Sequence, residues 1–354
     1  MSDSSTPSII SKTQLLRKIS MRIRHLFILF ALTSASVFAH HSTAVKFDQS
    51  KIVEAEGEIT KVSWQNPHIL FTISAADGTE WELETHSVSI LRRMDSPESF
   101  VEIGDSVKVA GWPARQGFGM FVNNMLLPSG EEFVFKFQAE PSDLIWSDRM
   151  WSADNKWFAA TGDTSAETLG IFRVWSSTLS GGQFFLWLQE YPLTEEAKVL
   201  QAAFNPAVDN PLLYCQLKGM PAIMSNPYPL EFHDRGDVIE IKIEEYDSVR
   251  TIYMNSETAV EPAVSIMGHS IGRWEDETLV VETSHVNWGH LSGRGIILSD
   301  QVMISERFTP TESGAKLEYE ITVTDATAFT EPVTLSKSWV WIPENKVEPY
   351  NCEL

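Results

Sequence analysis

The sequence lacks an apolar run of the roughly 20 residues that a membrane-spanning helix needs. The apolar run at residues 26–32 is too short for that role. It lies between the basic segment 21–25 and the small residues 34–39. This order of basic, apolar and small regions is typical of a secretory signal peptide. We therefore predict that residues 1–39 are an export signal, that no transmembrane segment remains after cleavage, and that the protein is periplasmic or secreted.

Residues 1–20 are polar and precede a second methionine, Met21. Two interpretations are open for this segment. Translation starts at Met21 and residues 1–20 are an upstream extension, or the whole segment is a long n-region of the signal. We favour Met21 as the start, and either interpretation gives the same mature protein after cleavage at Ala39.

Basic residues are scarce in this sequence. It has 27 Lys and Arg against 48 Asp and Glu, a net charge of −21 at pH 7. Residues 1–39 hold five of the basic and one of the acidic residues, so the mature chain has 22 against 47 and a net charge of −25. A surface of this sign repels nucleic acid and anionic lipid headgroups. The composition therefore predicts no nucleic-acid partner and suits cationic partners or metal ions.

Cysteine is also rare, with only Cys215 and Cys352 in 354 residues. An even pair in an exported chain predicts one disulfide, here closing a loop of well over a hundred residues. In the chain-entropy model, closing a loop of that length contributes about 4–5 kcal/mol to stability. The alternative is two unpaired, buried thiols.

Standard catalytic motifs are absent. The sequence has no Ser-His-Asp order, no H-E-x-x-H, no P-loop and no G-x-G-x-x-G. No common enzyme class is therefore supported. Our first hypothesis is a non-catalytic binding protein for a small molecule.

The pattern of strand-like segments in residues 40–137 predicts a small barrel. Five strand-like segments lie at 52–62, 68–73, 80–85, 103–111 and 120–127, with a short helix predicted at 87–93. Asp77-Gly78, between the second and third segments, is a hairpin signal. Five strands with a helix between the third and fourth follow the order of an OB-fold barrel. The usual oligonucleotide ligand of that fold conflicts with the acidic charge, and the fold alone assigns no function.

Residues 138–215 carry five tryptophans among Ser, Asp and Gly. A disordered linker would not hold so many aromatic residues. We interpret this Trp-rich region as a bridge that lies on the following domain. It is predicted to contain a strand at 171–175 and a helix capped by Thr194.

Residues 216–354 predict a β meander of about eight strands, at 230–233, 238–246, 249–254, 268–274, 278–285, 301–309, 316–325 and 333–342. Ile239, Ile241 and Ile243 alternate with charged residues, which indicates one solvated face. Sequential strands joined by polar hairpins favour an antiparallel, lipocalin-like barrel, and a curved open sheet is the alternative. The predicted fold class is mainly β, with an OB-like five-stranded barrel followed by this antiparallel β-meander.

Four histidines near the mature start form a candidate metal site: His40, His41, His68 and His86. If cleavage follows Ala39, His40 offers its free amine and its imidazole to one metal ion, and a second histidine completes the set. Nitrogen ligands suit copper and zinc. The alternative is that His40 and His41 only flank the cleavage site and that His68 is a hydrogen-bonded residue opening a strand.

The loop at 284–295 is rich in His, Trp and Gly, and loops on rigid scaffolds often carry function. His285 and His290 with Glu282 are candidates for a metal or general-base group. Such a group would make the protein a hydrolase-like or isomerase-like enzyme. The alternative is a loop whose histidines are exposed or bonded to the backbone.

The first hypothesis needs ligand-binding residues in the meander, and five are candidates: Tyr228, Arg250, Arg273, Trp288 and Arg307. A barrel lumen holding the three arginines would favour an anionic or carboxylate ligand. A shift of one residue in a strand moves each side chain to the opposite face, so this assignment depends on the register.

Several phrases resemble exported bacterial proteins of a family of unknown function. They are the start Ala39-His40-His41-Ser42, the pattern Gly57-x-Ile59-x-x-Val62-x-Trp64-x-Asn66-Pro67-His68, and Ile103-Gly104-Asp105. Later phrases are similar to a second block of uncharacterised secreted bacterial proteins, namely Gly219-Met220-Pro221, Asn226-Pro227-Tyr228-Pro229, Gly272-Arg273-Trp274-Glu275 and Glu306-Arg307-Phe308. The resemblance implies export and a β-rich fold, and it implies no activity.

Overall fold

The computed structural model describes residues 43–94, 100–136, 139–151, 162–163, 170–177, 186, 188, 190–206, 208–213, 215–255 and 262–352. The predicted export signal and the two histidines His40 and His41 lie outside these residues. Two β barrels follow one another along the described chain, and both belong to the unit that spans residues 40–354. No helix among the described residues has the length and apolar character needed to cross a membrane.

The first barrel has the strand order of an OB fold. Its strands are β1 (Val53–Ser63), β2 (Leu70–Ser74), β3 (Glu80–Glu84), β4 (Ser106–Pro113) and β5 (Gly119–Leu126). A parallel pairing of β3 with β5 closes the ring β1-β2-β3-β5-β4. Helix α1 (Thr43–Lys46) precedes β1, and helix α2 (Val88–Arg93) lies between β3 and β4. The predicted five-stranded OB-like barrel is confirmed.

Strand β1 forms because its two faces differ in polarity. Ile59 is fully buried, whereas the glutamates at 54, 56 and 58 are exposed. Gly57 allows β1 to approach β2 closely, because a Cβ at this position would lie 2.5 Å from the carbonyl oxygen of Ser74. A glycine inside a strand often marks such a close backbone approach.

Two short strands, β6 (Glu132–Val134) and β7 (Met150–Trp151), extend the sheet of the first barrel. The buried carboxylate of Glu132 accepts hydrogen bonds from the backbone N–H groups of Ile145, Trp146 and Ser147 at 2.9–3.1 Å. These bonds hold residues 139–151 against the first barrel. The Trp-rich region is thus divided between the two barrels, because its later strand, β8 (Val174–Ser177), belongs to the second.

The second barrel is closed and has nine strands. After β8 come β9 (Leu230–Asp234), β10 (Val238–Ile243), β11 (Ser248–Tyr253), β12 (His269–Glu275), β13 (Thr278–Ser284), β14 (Met303–Thr311), β15 (Lys316–Thr324) and β16 (Val333–Val340). Its neighbouring strands pair antiparallel except for β11 with β12, which are parallel. The eight predicted strands are present, and they form a closed barrel and not an open sheet. The ninth strand, β8, comes from the Trp-rich region.

Few helices accompany the barrels. Helix α3 (Glu195–Ala203) begins as predicted, because the Thr194 hydroxyl accepts a hydrogen bond from the backbone N–H of Ala197 at 3.1 Å. Short 3-10 turns lie at Pro141–Asp143, Pro211–Leu213, Ala222–Met224, Glu245–Asp247 and Glu312–Gly314.

The segment at 341–352 connects the two barrels. Cys352 forms the predicted disulfide with Cys215. The side-chain amide of Asn66, in the first barrel, donates to the carbonyl oxygen of Tyr350, and the backbone N–H of Tyr350 donates to Asp247 Oδ1 at 3.0 Å. Tyr350 is 1% exposed and packs with the core of the first barrel. This connecting segment therefore fixes the second barrel against the first.

Candidate ligand pocket between the two barrels

A cavity of about 560 Å³ lies where the two barrels meet. The first barrel and helix α1 contribute Thr43, Pro67, His68 and Ile90, and the other walls come from residues 186–294 and from Tyr350. Small-molecule sites in proteins commonly have volumes of about 300–1,000 Å³. The cavity is therefore large enough for an organic ligand.

Three tyrosines form one wall of the cavity, and we call them the tyrosine wall: Tyr228, Tyr246 and Tyr350. The ring of Tyr350 lies 5.3 Å from that of Tyr228 and 5.0 Å from that of Tyr246, centroid to centroid. Burial raises the pKa of all three hydroxyls, that of Tyr228 to about 12. All three therefore stay protonated near neutral pH and present flat rings with neutral hydroxyl groups.

Local backbone features position this wall. The amide oxygen of Asn226 accepts a hydrogen bond from the backbone N–H of Tyr228 at 2.9 Å, which shapes the Asn-Pro-Tyr-Pro turn. Tyr246 lies in the tight connection between β10 and β11 and has a φ of 57°. Asn and Gly adopt this left-handed region more readily than tyrosine does. The surrounding structure therefore holds the Tyr246 ring in place.

A buried ion pair lies beside the tyrosine wall. Lys218 Nζ is 2.5 Å from Glu245 Oε1, and both residues line the cavity. Glu245 is 4% exposed, and its Oε2 atom accepts no hydrogen bond from any residue that the structure describes. Burial raises the pKa of this carboxyl, although Lys218 opposes the change. The backbone next to Lys218 approaches Trp288 closely, and this requires a glycine at 219, because a Cβ there would lie 2.5 Å from the Trp288 Cβ.

Lys337 lies close behind the ion pair, on β16. Its ammonium donates to the carbonyl oxygen of Asn226 at 2.9 Å and lies 4.5 Å from the ring centroid of Trp339. Burial lowers the pKa of Lys337 to about 7, and the charge of Lys218 acts in the same direction while Glu245 acts against it. Three ionisable groups therefore share one buried region, and two of them, Lys218 and Glu245, line the cavity.

His68 faces the cavity from the first barrel. Its Nδ1 is 2.6 Å from Glu84 Oε1, and Lys46 Nζ is 2.5 Å from the other oxygen of the same carboxylate. Burial alone would raise the pKa of Glu84, but His68 and Lys46 bring it down to about 2. The carboxylate therefore stays ionised and fixes the orientation of the imidazole.

The candidate metal histidines are only partly within the described chain. His86 Nε2 is 2.8 Å from the carbonyl oxygen of Phe135, and burial lowers its pKa to about 4. His68 and His86 each contact the ring of Phe121, at 6.4 and 5.7 Å between centroids. Among the described residues no three His, Cys, Asp or Glu side chains lie close enough to hold a metal ion. His40 and His41 lie outside that part of the chain.

The three candidate arginines do not share a barrel lumen, which corrects the prediction. Arg250 is inside the second barrel and forms a bidentate ion pair with Glu306, with 2.9 Å from Nη1 to Oε1. Arg273 and Arg307 lie on the outer surface, 54% and 44% exposed, and both bind Glu275. The reason is strand alternation: Glu306 faces inward, so its neighbour Arg307 faces outward.

Inside the second barrel, Arg250 is surrounded by polar side chains of the protein itself. Arg250 Nη2 also donates to Ser270 Oγ at 3.0 Å and to Thr283 Oγ1 at 2.8 Å, and Tyr319 donates to Glu306 Oε1 at 2.7 Å. These buried polar groups satisfy one another. The core of the same barrel is formed by large buried apolar side chains, among them Trp175, Phe232 and Trp339.

The structure describes all three residues of the candidate catalytic group, Glu282, His285 and His290, and their surroundings differ. Glu282 is on the outer face of β13 and accepts a hydrogen bond from Ser305 Oγ at 2.9 Å. His285 is exposed and contacts Ser284, whereas His290 is half-buried with its ring 5.8 Å from that of Trp288. Each of the three residues therefore has a different neighbour. Trp288 is buried and packs against Gly219, outside the cavity lining.

Of the candidate residues, Tyr228 and His68 line the cavity. Sequence reasoning missed Lys218, Glu245, Tyr246 and Tyr350. The one signal that pointed toward them was the irregular, Pro- and Gly-rich entry at 215–229, which places Lys218 beside a glycine. The loop at 284–295 does contribute to the site, through residues 291–294 and not through its histidines.

The fold and the cavity define a two-barrel β protein with a ligand-sized space between an OB barrel and a nine-stranded barrel. Residues 29–121 match the model of DUF6152, a family of unknown function, which confirms the resemblance at the start of the chain. The match ends within β5 and covers about a quarter of the sequence. No curated protein matches the chain. The similarity of the later phrases to a second block stays a prediction.

Proposed function

We propose that the protein is an exported, non-catalytic binding protein whose small-molecule ligand occupies the cavity between the two barrels. The observation that carries this proposal is the 560 Å³ cavity with the tyrosine wall and a buried, incompletely hydrogen-bonded carboxylate on one side. Apolar walls with a few convergent polar groups are characteristic of ligand sites.

The disulfide supports the export part of the proposal. Disulfides persist in oxidising compartments such as the periplasm and are rare in the bacterial cytosol. Cys215 and Cys352 are paired, and the described chain holds no free cysteine. Detection of the processed protein in a periplasmic extract, with no activity of a cytosolic marker enzyme, tests this part. Retention of the unprocessed protein in the cytosolic fraction would contradict it.

Ligand screening by thermal shift on the mature protein tests the binding site. The variant Ser292→Trp places a large side chain at the cavity wall, and Ser129→Trp places the same side chain on an exposed turn of the first barrel. Ligands of this site should raise the melting temperature of the unchanged protein and of Ser129→Trp, but not that of Ser292→Trp. Ligands that stabilise all three proteins equally would show that the cavity is not the site.

A metal site at the mature start is the second candidate function. Thr43 lines the same cavity as His68, and His40 is only three residues before Thr43, a distance of at most about 11 Å along the chain. The amine and imidazole of His40 are therefore within reach of this region. Copper titration of the correctly processed protein, beside a form with one extra N-terminal residue, tests it. Equal copper affinity of the two forms would reject the site.

A further inference from the structure

We propose that the cavity selects a neutral, ring-containing molecule that carries a hydroxyl group, and that Glu245 is the residue that recognises this hydroxyl. The inference rests on the proposed function, because it names the class of ligand for the same cavity. Three observations support it. The charged side chains of the cavity are paired, Glu245 Oε2 accepts no hydrogen bond from the described residues, and the remaining walls are aromatic and apolar.

The charged side chains of the cavity already have partners within the protein. Lys218 is paired with Glu245, and His68 is paired with Glu84. Arg294 is exposed to solvent. A charged ligand entering the cavity would lose its hydration without gaining an unpaired counter-charge, which is unfavourable. A neutral ligand avoids this loss.

Glu245 has an unused capacity to accept hydrogen bonds. Its Oε1 accepts from Lys218, whereas its Oε2 accepts from none of the described residues. A buried acceptor without a donor is unfavourable, so a donor that reaches it stabilises the complex. Oε2 is buried in the structure, and because the terminal torsion of a glutamate is soft, rotation of the carboxylate can bring it to a hydroxyl in the cavity. A ligand hydroxyl would therefore satisfy this oxygen.

The other walls suit a flat ring. Beside the tyrosine wall, the lining includes Ile90, Leu186, Leu212 and Leu291. Aromatic pairs prefer offset or edge-to-face arrangements, and the rings of Tyr228 and Tyr350 already meet edge to face. A ring in this space would bury apolar surface while its hydroxyl points toward Glu245.

Three naphthalene derivatives of the same ring size test the inference on the mature protein. 2-Naphthol is neutral at pH 7 and carries a donor, 2-methoxynaphthalene is neutral and carries none, and 2-naphthoate is an anion. Affinities are measured by the change in naphthalene fluorescence. The same titrations on Ser292→Trp and on Ser129→Trp locate the binding site. We expect 2-naphthol to bind about tenfold or more tightly than either of the other two compounds.

The variant Glu245→Gln tests the role of the carboxylate itself. Its amide oxygen can still accept from Lys218, and its amide NH2 then replaces the Oε2 acceptor with a donor. The preference for 2-naphthol over 2-methoxynaphthalene should fall towards one. Glu80→Gln is the matched control, because it makes the same change at an exposed glutamate of the first barrel that is not part of the cavity lining. This control variant should keep the preference of the unchanged protein for 2-naphthol over 2-methoxynaphthalene.

The outcomes separate this inference from the proposed function. The inference would be overturned if 2-methoxynaphthalene or 2-naphthoate bound the unchanged protein as tightly as 2-naphthol. It would also be overturned if Glu245→Gln kept the preference for 2-naphthol. In both cases the cavity would still be a ligand site. Absence of binding by all three compounds would also overturn the inference, while the thermal-shift screen would still decide the proposed function. If Glu245→Gln does not fold, the three-compound comparison on the unchanged protein decides alone.

Discussion

Lys218 and Glu245 form an ion pair in the cavity wall, with 2.5 Å between Nζ and Oε1 and with both residues less than a tenth exposed. Replacing Lys218 with Met leaves the carboxylate buried without its cation, and we expect a loss of about 3–5 kcal/mol in the free energy of unfolding. Urea denaturation measures this loss.

Two further variants make this prediction specific. The double variant Lys218→Met/Glu245→Leu removes both charges and should recover much of the loss, because no unpaired charge remains. Lys198→Met, in the exposed pair with Glu195, should unfold like the unchanged protein. A similar loss in Lys198→Met, or no recovery in the double variant, would contradict the assignment of a buried pair.

The hydroxyl of Tyr319 should contribute measurably to the stability of the second barrel. It donates to the fully buried Glu306 at 2.7 Å, and hydrogen bonds to charged groups contribute about 1.5–3 kcal/mol. We expect Tyr319→Phe to lose this amount in urea denaturation. Tyr253→Phe is the control, since its ring stacks on His269 and its hydroxyl has no hydrogen bond to the described residues. An equal effect of the two substitutions would show that the hydrogen bond contributes nothing.

The pH dependence of stability should report on Glu84. Its folded pKa of about 2 lies below its ordinary value of 4.5, so the unfolded state takes up the proton first. The contribution of Glu84 is therefore complete above about pH 5 and disappears as the pH falls towards 2. We expect Glu84→Gln to be less stable than the unchanged protein by roughly 3 kcal/mol at pH 6, with little difference at pH 2.5.

Denaturation curves between pH 6 and pH 2.5 test this expectation. The exposed Glu80, at the other end of β3, provides the matched variant Glu80→Gln. A difference between Glu84→Gln and the unchanged protein that does not narrow on acidification would exclude the ion pairs of Glu84 with His68 and Lys46 as its source.

The disulfide should stabilise both the fold and the cavity. Replacing Cys215 and Cys352 by Ser opens a loop of 137 residues, which costs about 4–5 kcal/mol in the chain-entropy model. Tyr350 is two residues from Cys352, so ligand affinity should fall together with stability. Denaturation of the oxidised, reduced and double-Ser forms measures the first effect, and titration with a cavity ligand measures the second. A double-Ser form with unchanged ligand affinity would show that Asn66 and Asp247 hold Tyr350 without the disulfide.

Local patterns were sufficient to predict most of the strands. The alternation in β1 and β10, the Asp77-Gly78 turn and the Thr194 cap all act within a few residues, so the sequence expresses them directly. The order of five strands and one helix then left the OB barrel as the natural arrangement. The ninth strand of the second barrel escaped detection as part of that barrel, because β8 is only four residues long and precedes its partners by more than fifty positions.

The site was less predictable, for two physical reasons. The face on which a strand residue lies reverses with a shift of one position, and for this reason Arg250, Arg273 and Arg307 could not be separated before the structure was known. The cavity also combines side chains such as Thr43, Lys218 and Tyr350 that are far apart in the chain. No periodicity or spacing in the sequence records such long-range proximity.

The connecting segment at 341–352 has a consequence for how this site is inherited. The region that matches DUF6152 supplies only one side of the cavity, and the tyrosine wall, the ion pair and the loop at 291–294 all come from later residues. A protein that shares the first barrel alone would thus have a bare surface where this chain has a cavity. The proposed ligand binding depends on the combination of the two barrels, so it should follow the two-barrel architecture through evolution and not the matched domain.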